Sequence, residues 1–177
     1  GLLRAALFGE SFRFIFWFRV CKWARGRLWS KYSIYPAALF FLRRQKYLLG
    51  ISIPLSVEIG PGFVIGHFGG VVINSRVVIG ANCNISHGVT IGQANRGSKV
   101  GAAIIGDAVY VGPGACIVGA VNIGSGSAIG ANAVVTRNVE SGAVVAGVPA
   151  KVVSFNGSTG YINRTDYPAR FMDGFKG

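Results

Sequence analysis

Through the middle of the chain a branched aliphatic residue returns every six positions: Ile53, Ile59 and Ile65, then Ile73, Ile79, Ile85 and Ile91, then Ile105, Val111, Ile117, Ile123, Ile129 and Val135. The next residue is glycine at 60, 66, 80, 92, 106, 112, 124 and 130, and the residue four beyond is small or valine at Val57, Val77, Cys83, Val89, Val109, Ala115, Val121 and Ala133. A period of six is too long for one face of a helix and is not plain alternation. It suits a triangular coil in which each flat side takes one hexapeptide, so that one coil uses about 18 residues. The aliphatic residue points inward, the small residue completes the core, and glycine turns the corner. The predicted fold is an all-β solenoid, a left-handed parallel β-helix of hexapeptide repeats over residues 51-153.

Two irregularities break the count. Ile65 to Ile73 is eight positions, which adds two residues around His67-Phe68-Gly69-Gly70. Ile91 to Ile105 is fourteen, so two or more residues leave the coil within the segment from Gln93 to Gly101. Irregularities in a solenoid are where function is usually carried.

Residues 1-50 lack the repeat. From position 4 onward they read as a short helical segment, with Phe12, Phe14, Ile15, Phe16, Trp17, Phe18, Trp23, Leu28 and Trp29 set among basic residues, and Pro36 is expected to separate two helices. The longest uncharged run there, Tyr32 to Leu42, is too short to span a bilayer. Residues 154-177 are polar and read as a loose C-terminal tail.

Charge sharpens this division. The net charge is +12, and the first fifty residues set ten basic side chains against Glu10 alone, so nine of those twelve charges lie there. Such asymmetry points to an anionic partner for that segment. Trp and Phe among Lys and Arg fit peripheral contact with a membrane surface. Nucleic acid is not the expected partner, because no recognition motif accompanies the charge. Cys21, Cys83 and Cys116 are odd in number and lack CxxC spacing, which reads as buried thiols in a reducing compartment. No secretory leader is evident. The expected location is cytoplasmic, at the inner face of the cell membrane if the basic segment docks there.

The chain has two histidines, and register arithmetic brings them together. Ile65 and Ile85 are one coil plus the two-residue insertion apart, and each histidine follows its aliphatic residue by two. His67 and His87 therefore stack on neighbouring coils, about 4.8 Å apart. Asp107 follows Ile105 by the same two residues. If the loop adds two residues to one coil, Asp107 joins the histidine column and can orient an imidazole; if the loop leaves the coil altogether, it is a ladder carboxylate.

Residues 51-153 resemble the serine acetyltransferase-like branch of the hexapeptide acyltransferases. The likeness runs through Gly66-His67-Phe68-Gly69-Gly70-Val71-Val72-Ile73, His87-Gly88-Val89-Thr90-Ile91-Gly92, Ile105-Gly106-Asp107, Val111-Gly112-Pro113-Gly114-Ala115 and Ala146-Gly147-Val148-Pro149-Ala150-Lys151. The resemblance implies an acetyl-CoA-dependent O-acyltransferase whose base matches His67, taking the proton from an acceptor hydroxyl. It also implies that acetyl-CoA, the co-substrate, contacts the positions matching Pro113 and Ala131 with Lys151 near its phosphates, and that the active sites lie between the subunits of a homotrimer. The sequence departs from the pattern at Gly66, where serine acetyltransferases carry Asp, and at Gly101-Ala102, where they carry Arg-His. With the basic aromatic N-terminal segment, these departures move the expected acceptor from free serine to a sugar hydroxyl of a surface or exopolysaccharide intermediate, a glycan that could be lipid-linked. Serine O-acetylation is the alternative. A zinc enzyme of the same fold requires three histidine ligands and this chain has two, so no metal site is expected; a non-catalytic scaffold is the remaining class, and it would tolerate loss of His67.

Overall fold

A computed structural model describes residues 10–169. Arg4, the rest of the first nine positions and the end of the tail lie outside the described residues.

Among the described residues three helices come first: α1 (Glu10–Arg25), α2 (Leu28–Lys31) and α3 (Ile34–Leu49). The break between α1 and α2 falls at Gly26, and Pro36 does not divide the helices. It sits in the first turn of α3, where a missing N–H costs nothing. The buried stripe of α3, Ala38, Leu42, Gln45 and Leu49, packs against α1, whose Phe14, Phe18 and Cys21 are also buried. Gly50 then ends α3 in a left-handed cap at φ 61°.

After Gly50 the chain visits three sheets in rotation. The first holds β1 (Ile51–Ser52), β4 (Val71–Ile73), β7 (Thr90–Gly92), β10 (Cys116–Val118) and β13 (Val134–Val135). The second holds β2 (Glu58–Ile59), β5 (Val78–Ile79), β8 (Ile104–Ile105) and β11 (Asn122–Ile123). The third holds β3 (Val64–Ile65), β6 (Asn84–Ile85), β9 (Tyr110–Val111), β12 (Ala128–Ile129), β14 (Val144–Ala146) and β15 (Lys151–Ser154). As far as coil four each strand pairs in parallel with the strand three later; at the last coil β12 pairs in parallel with β14, and β14 pairs antiparallel with β15. Coil one is thus β1 to β3, coil two β4 to β6, and so on to coil five, which starts at β13.

Every periodic aliphatic residue points into the core, and none exposes more than 5 % of its surface. Most of the glycines that follow them are needed for close approach, Gly66 and Gly92 excepted. A Cβ on Gly80 would lie 2.5 Å from the Gly106 carbonyl oxygen on the next coil, and one on Gly60 would lie 2.5 Å from the Gly80 carbonyl carbon. Left-handed backbone is used two residues later at the same corner, at Asn82 (φ 56°) and Ala108 (φ 51°).

The tail expected to be loose is tied down as far as Tyr167. It runs back over coils three and two: Ser158 Oγ donates to the Ala108 carbonyl (2.5 Å), Asn84 Nδ2 to Tyr161 O (2.9 Å) and Asn82 Nδ2 to Tyr167 O (2.8 Å). Tyr161 stacks on Tyr110 with ring centroids 4.8 Å apart.

Candidate active site

The corner between the third and first sheets carries both histidines. Ile65 pairs with Ile85, Ile85 with Val111, Val111 with Ile129, and Ile129 with Val145. Two residues beyond each lie His67, His87, Pro113, Ala131 and Gly147, one per coil. The two imidazoles meet edge to face, with centroids 5.9 Å apart and planes at 71°. Backbone bonds lock the corners together: Gly88 N–H donates to Gly69 O (2.8 Å), Gly114 N–H to His87 O (3.0 Å) and Asn132 N–H to Pro113 O (2.8 Å). Above the histidines the column holds only the small side chains of Pro113, Ala131 and Gly147, spaced about 4.8 Å per coil. At its far end Ala146 pairs with Lys151, whose side chain is exposed. The two histidines and the three positions that the resemblance matched to acetyl-CoA therefore share one edge of the molecule.

The two added residues widen the corner at His67 alone. Gly69 N–H donates to Leu49 O (2.8 Å) and Val71 N–H to Gly50 O (3.1 Å), so the end of α3 holds this insertion. His67 and Phe68 are exposed and stand at the mouth of a cleft of about 810 Å³. Its walls come from α1 (Phe12, Ile15, Arg19), from the β2–β3 corner (Phe63) and from the tail (Arg164, Tyr167). Arg19 donates to Ile59 O (2.7 Å) and Gly60 O (2.5 Å), and its burial lowers its pKa, with Tyr167 opposing the shift. Arg19 is thus spent on fixing α1 to coil one. Arg164 is more than half exposed and lies 3.9 Å from Asp166.

Asp107 requires a correction. Ile105 pairs with Ile79 rather than Ile85, because Ile91 pairs with Ile117, 26 residues on, and the loop therefore adds eight residues instead of two. Asp107 sits beside Ala81 at a different corner, buried, and its Oδ1 accepts the Ala81 N–H (2.6 Å). It is a ladder carboxylate and orients neither imidazole. Asn95, Arg96 and Lys99 leave the coil with the same loop, at the corner between the first and second sheets; Ala94 and Gly101 close its neck with paired backbone bonds of 2.9 and 3.0 Å. Among the described residues no group of three His, Cys, Asp or Glu side chains gathers.

No family model matches the sequence. The chain is similar to the serine acetyltransferase of Bacillus subtilis, with 33% identity over 152 residues, 82% of this chain and 70% of that one. Among solved structures it resembles the soybean serine acetyltransferase complexed with serine (TM-score 0.69, 33% identity, 85% of this chain and 60% of that one). It also resembles the serine acetyltransferase of Brucella abortus in complex with coenzyme A (TM-score 0.72, 28% identity, 86% and 59%). The chain spans about three fifths of those solved chains. These matches overturn the polysaccharide acceptor expected above. Part of what suggested it, the basic aromatic segment, serves another end: Phe14 and Phe18 are core, while Arg19 and Lys22 bond to carbonyls of coil one.

Proposed function

Because this chain belongs to the serine acetyltransferase family of acetyl-CoA-dependent acyltransferases, we propose that it moves acetyl from acetyl-CoA to the hydroxyl of serine, with His67 as general base. The observation that carries the reading is the single column His67, His87, Pro113, Ala131 and Gly147, ending at Lys151. The thioester arm lies along the small residues, the CoA phosphates meet Lys151, and the acetyl carbonyl is presented at the histidines. On this reading the three-sheet coil is the left-handed β-helix of the family, and the working assembly is a homotrimer, which sedimentation equilibrium reads directly.

His67 takes the proton from the serine hydroxyl as that oxygen attacks the thioester carbonyl carbon. The C–O bond forms, the C–S bond breaks, and the departing CoA sulfur recovers the proton from the imidazolium, leaving O-acetylserine and CoA. His87, edge to face with His67, backs the base and limits its rotation. The family's charged serine partners are replaced by Gly66 and Gly101-Ala102, so the acceptor carboxylate needs another cation. Arg164 fills that role on this reading: it lines the cleft that opens at His67, whereas Arg19 is committed to backbone carbonyls.

The test is release of CoA from acetyl-CoA with serine, for wild type and His67→Ala. Loss of the general base lowers kcat about 10²- to 10⁴-fold, with the KM for acetyl-CoA little changed. Undiminished turnover in the variant, or none on serine by the wild type, refutes the proposal.

A further inference from the structure

The turn joining α1 to α3 carries a patch that the acyl-transfer chemistry does not use. Trp23, Trp29 and Tyr32 expose 45 %, 65 % and 80 % of their surfaces, although they are the kind of side chain a core would take. They are not loose. Ser30 Oγ, fully buried, bonds to Ala24 O (2.8 Å) and Arg27 O (3.1 Å), which fixes the turn beneath them. The Trp23 and Trp29 rings meet at 5.9 Å and 85°. Cations accompany the rings: the Arg27 guanidinium lies 4.4 Å over Trp23, Lys31 Nζ lies 5.8 Å from Tyr32, and Arg25 is exposed on the same turn. Between Glu10 and Glu58 the sequence has no acidic residue at all.

We propose that this turn is a docking surface for an anionic lipid bilayer. The charge is wholly of one sign, so the partner is anionic. Two of the three rings, Trp23 and Tyr32, carry a cation on or beside their face, which suits a boundary where the ring enters the headgroup zone and the cation meets phosphate. A protein groove would have to strip water from those cations. No helix of the described residues is long and apolar enough to cross a membrane, so the contact is superficial. The surface is separate from the His67 column, and the inference stands whichever acceptor the enzyme uses.

The experiment is co-sedimentation of the full chain with vesicles of phosphatidylcholine alone and of phosphatidylcholine with phosphatidylglycerol. The expected result is binding to the anionic vesicles only, weakened by salt, with a blue shift of tryptophan emission. Each cation contributes roughly fivefold to partitioning, so Arg25→Gln, Arg27→Gln and Lys31→Gln together lower it about a hundredfold. Trp29→Ser lowers it further while thermal melting and acetyl transfer stay at wild-type levels, as the exposure of all four side chains requires. Equal binding to both vesicle types, or binding indifferent to the triple substitution, overturns the proposal. A blue shift that follows protein concentration without lipid assigns the patch to a second copy, and tighter binding to a single-stranded oligonucleotide assigns it to nucleic acid; either result also overturns it.

Discussion

Gly80→Ala adds one methyl group to a corner where the next coil leaves no room for it. The new Cβ would meet the Gly106 carbonyl oxygen at 2.5 Å and its carbon at 2.6 Å, and would press on the Asp107 carboxylate. Van der Waals contact needs about 3.5 Å, so two coils must separate locally by about 1 Å. The carboxylate cannot swing clear without releasing the Ala81 N–H it accepts at 2.6 Å. Overpacking of this kind costs about 1–3 kcal/mol, and a lost bond to a buried donor adds to it. The stiffer unfolded chain returns roughly 0.4–1 kcal/mol. The net expectation is destabilisation of about 2 kcal/mol, a fall in Tm of about 4–8 °C at this chain length. Gly92→Ala is the matched control. It follows Ile91 at the same place in the repeat, yet a Cβ there meets nothing within 4 Å, so it gains the unfolded-state term alone and melts no lower than wild type. Calorimetry on both variants decides the matter, and indistinguishable melting temperatures would falsify the close-approach account of these glycines.

Ala108 sits at φ 51°, a conformation that disfavours a Cβ, so Ala108→Gly should raise stability by roughly 0.5–1 kcal/mol in urea denaturation. Burial pushes the Cys83 thiol up from 9.0 to about 12, which favours the neutral form in the folded state. Its stabilising contribution is complete below pH 9 and is lost as pH climbs towards 12; denaturation midpoints across that window should fall more steeply for wild type than for Cys83→Ala. Arg164→Gln should raise the KM for serine roughly tenfold, leaving kcat and the KM for acetyl-CoA near wild type in steady-state kinetics.

The period-six aliphatic residues specify the core because each one must fill the same interior position of a coil, and Ile53 through Val135 are all buried. The pairing of His67 with His87 is equally legible, since it depends only on counting between two members of that series. Asp107 is misplaced by the same arithmetic. A gap of fourteen fits either twelve plus two or six plus eight, and a polar loop carries no period to choose between them. A signal was nevertheless present. A loop of two extra residues needs a further inward aliphatic residue near position 97 or 99, where the chain has Gly97 and Lys99, whereas Ala103 takes up the small-residue place again two before Ile105. The cleft was not legible in this way. Arg164 and Tyr167 belong to a segment without periodicity, and only Phe63, bulky where the other coils place Cys83, Val109 and Ser127, marks coil one as different.

The returning tail changes how such a stack comes apart. A stack in which each coil touches only its neighbours loses coils one at a time from an end. Here the chain leaves coil five through β15 and is fastened again to coils three and two by Ser158, Tyr161 and Tyr167. Peeling the last coil therefore also releases contacts near the first, so the end that would fray most readily is joined to the interior of the stack. The cleft shares that fate, because Arg164 and Tyr167 help to wall it: partial opening of the C-terminal end would dismantle the cleft while leaving the histidines in place.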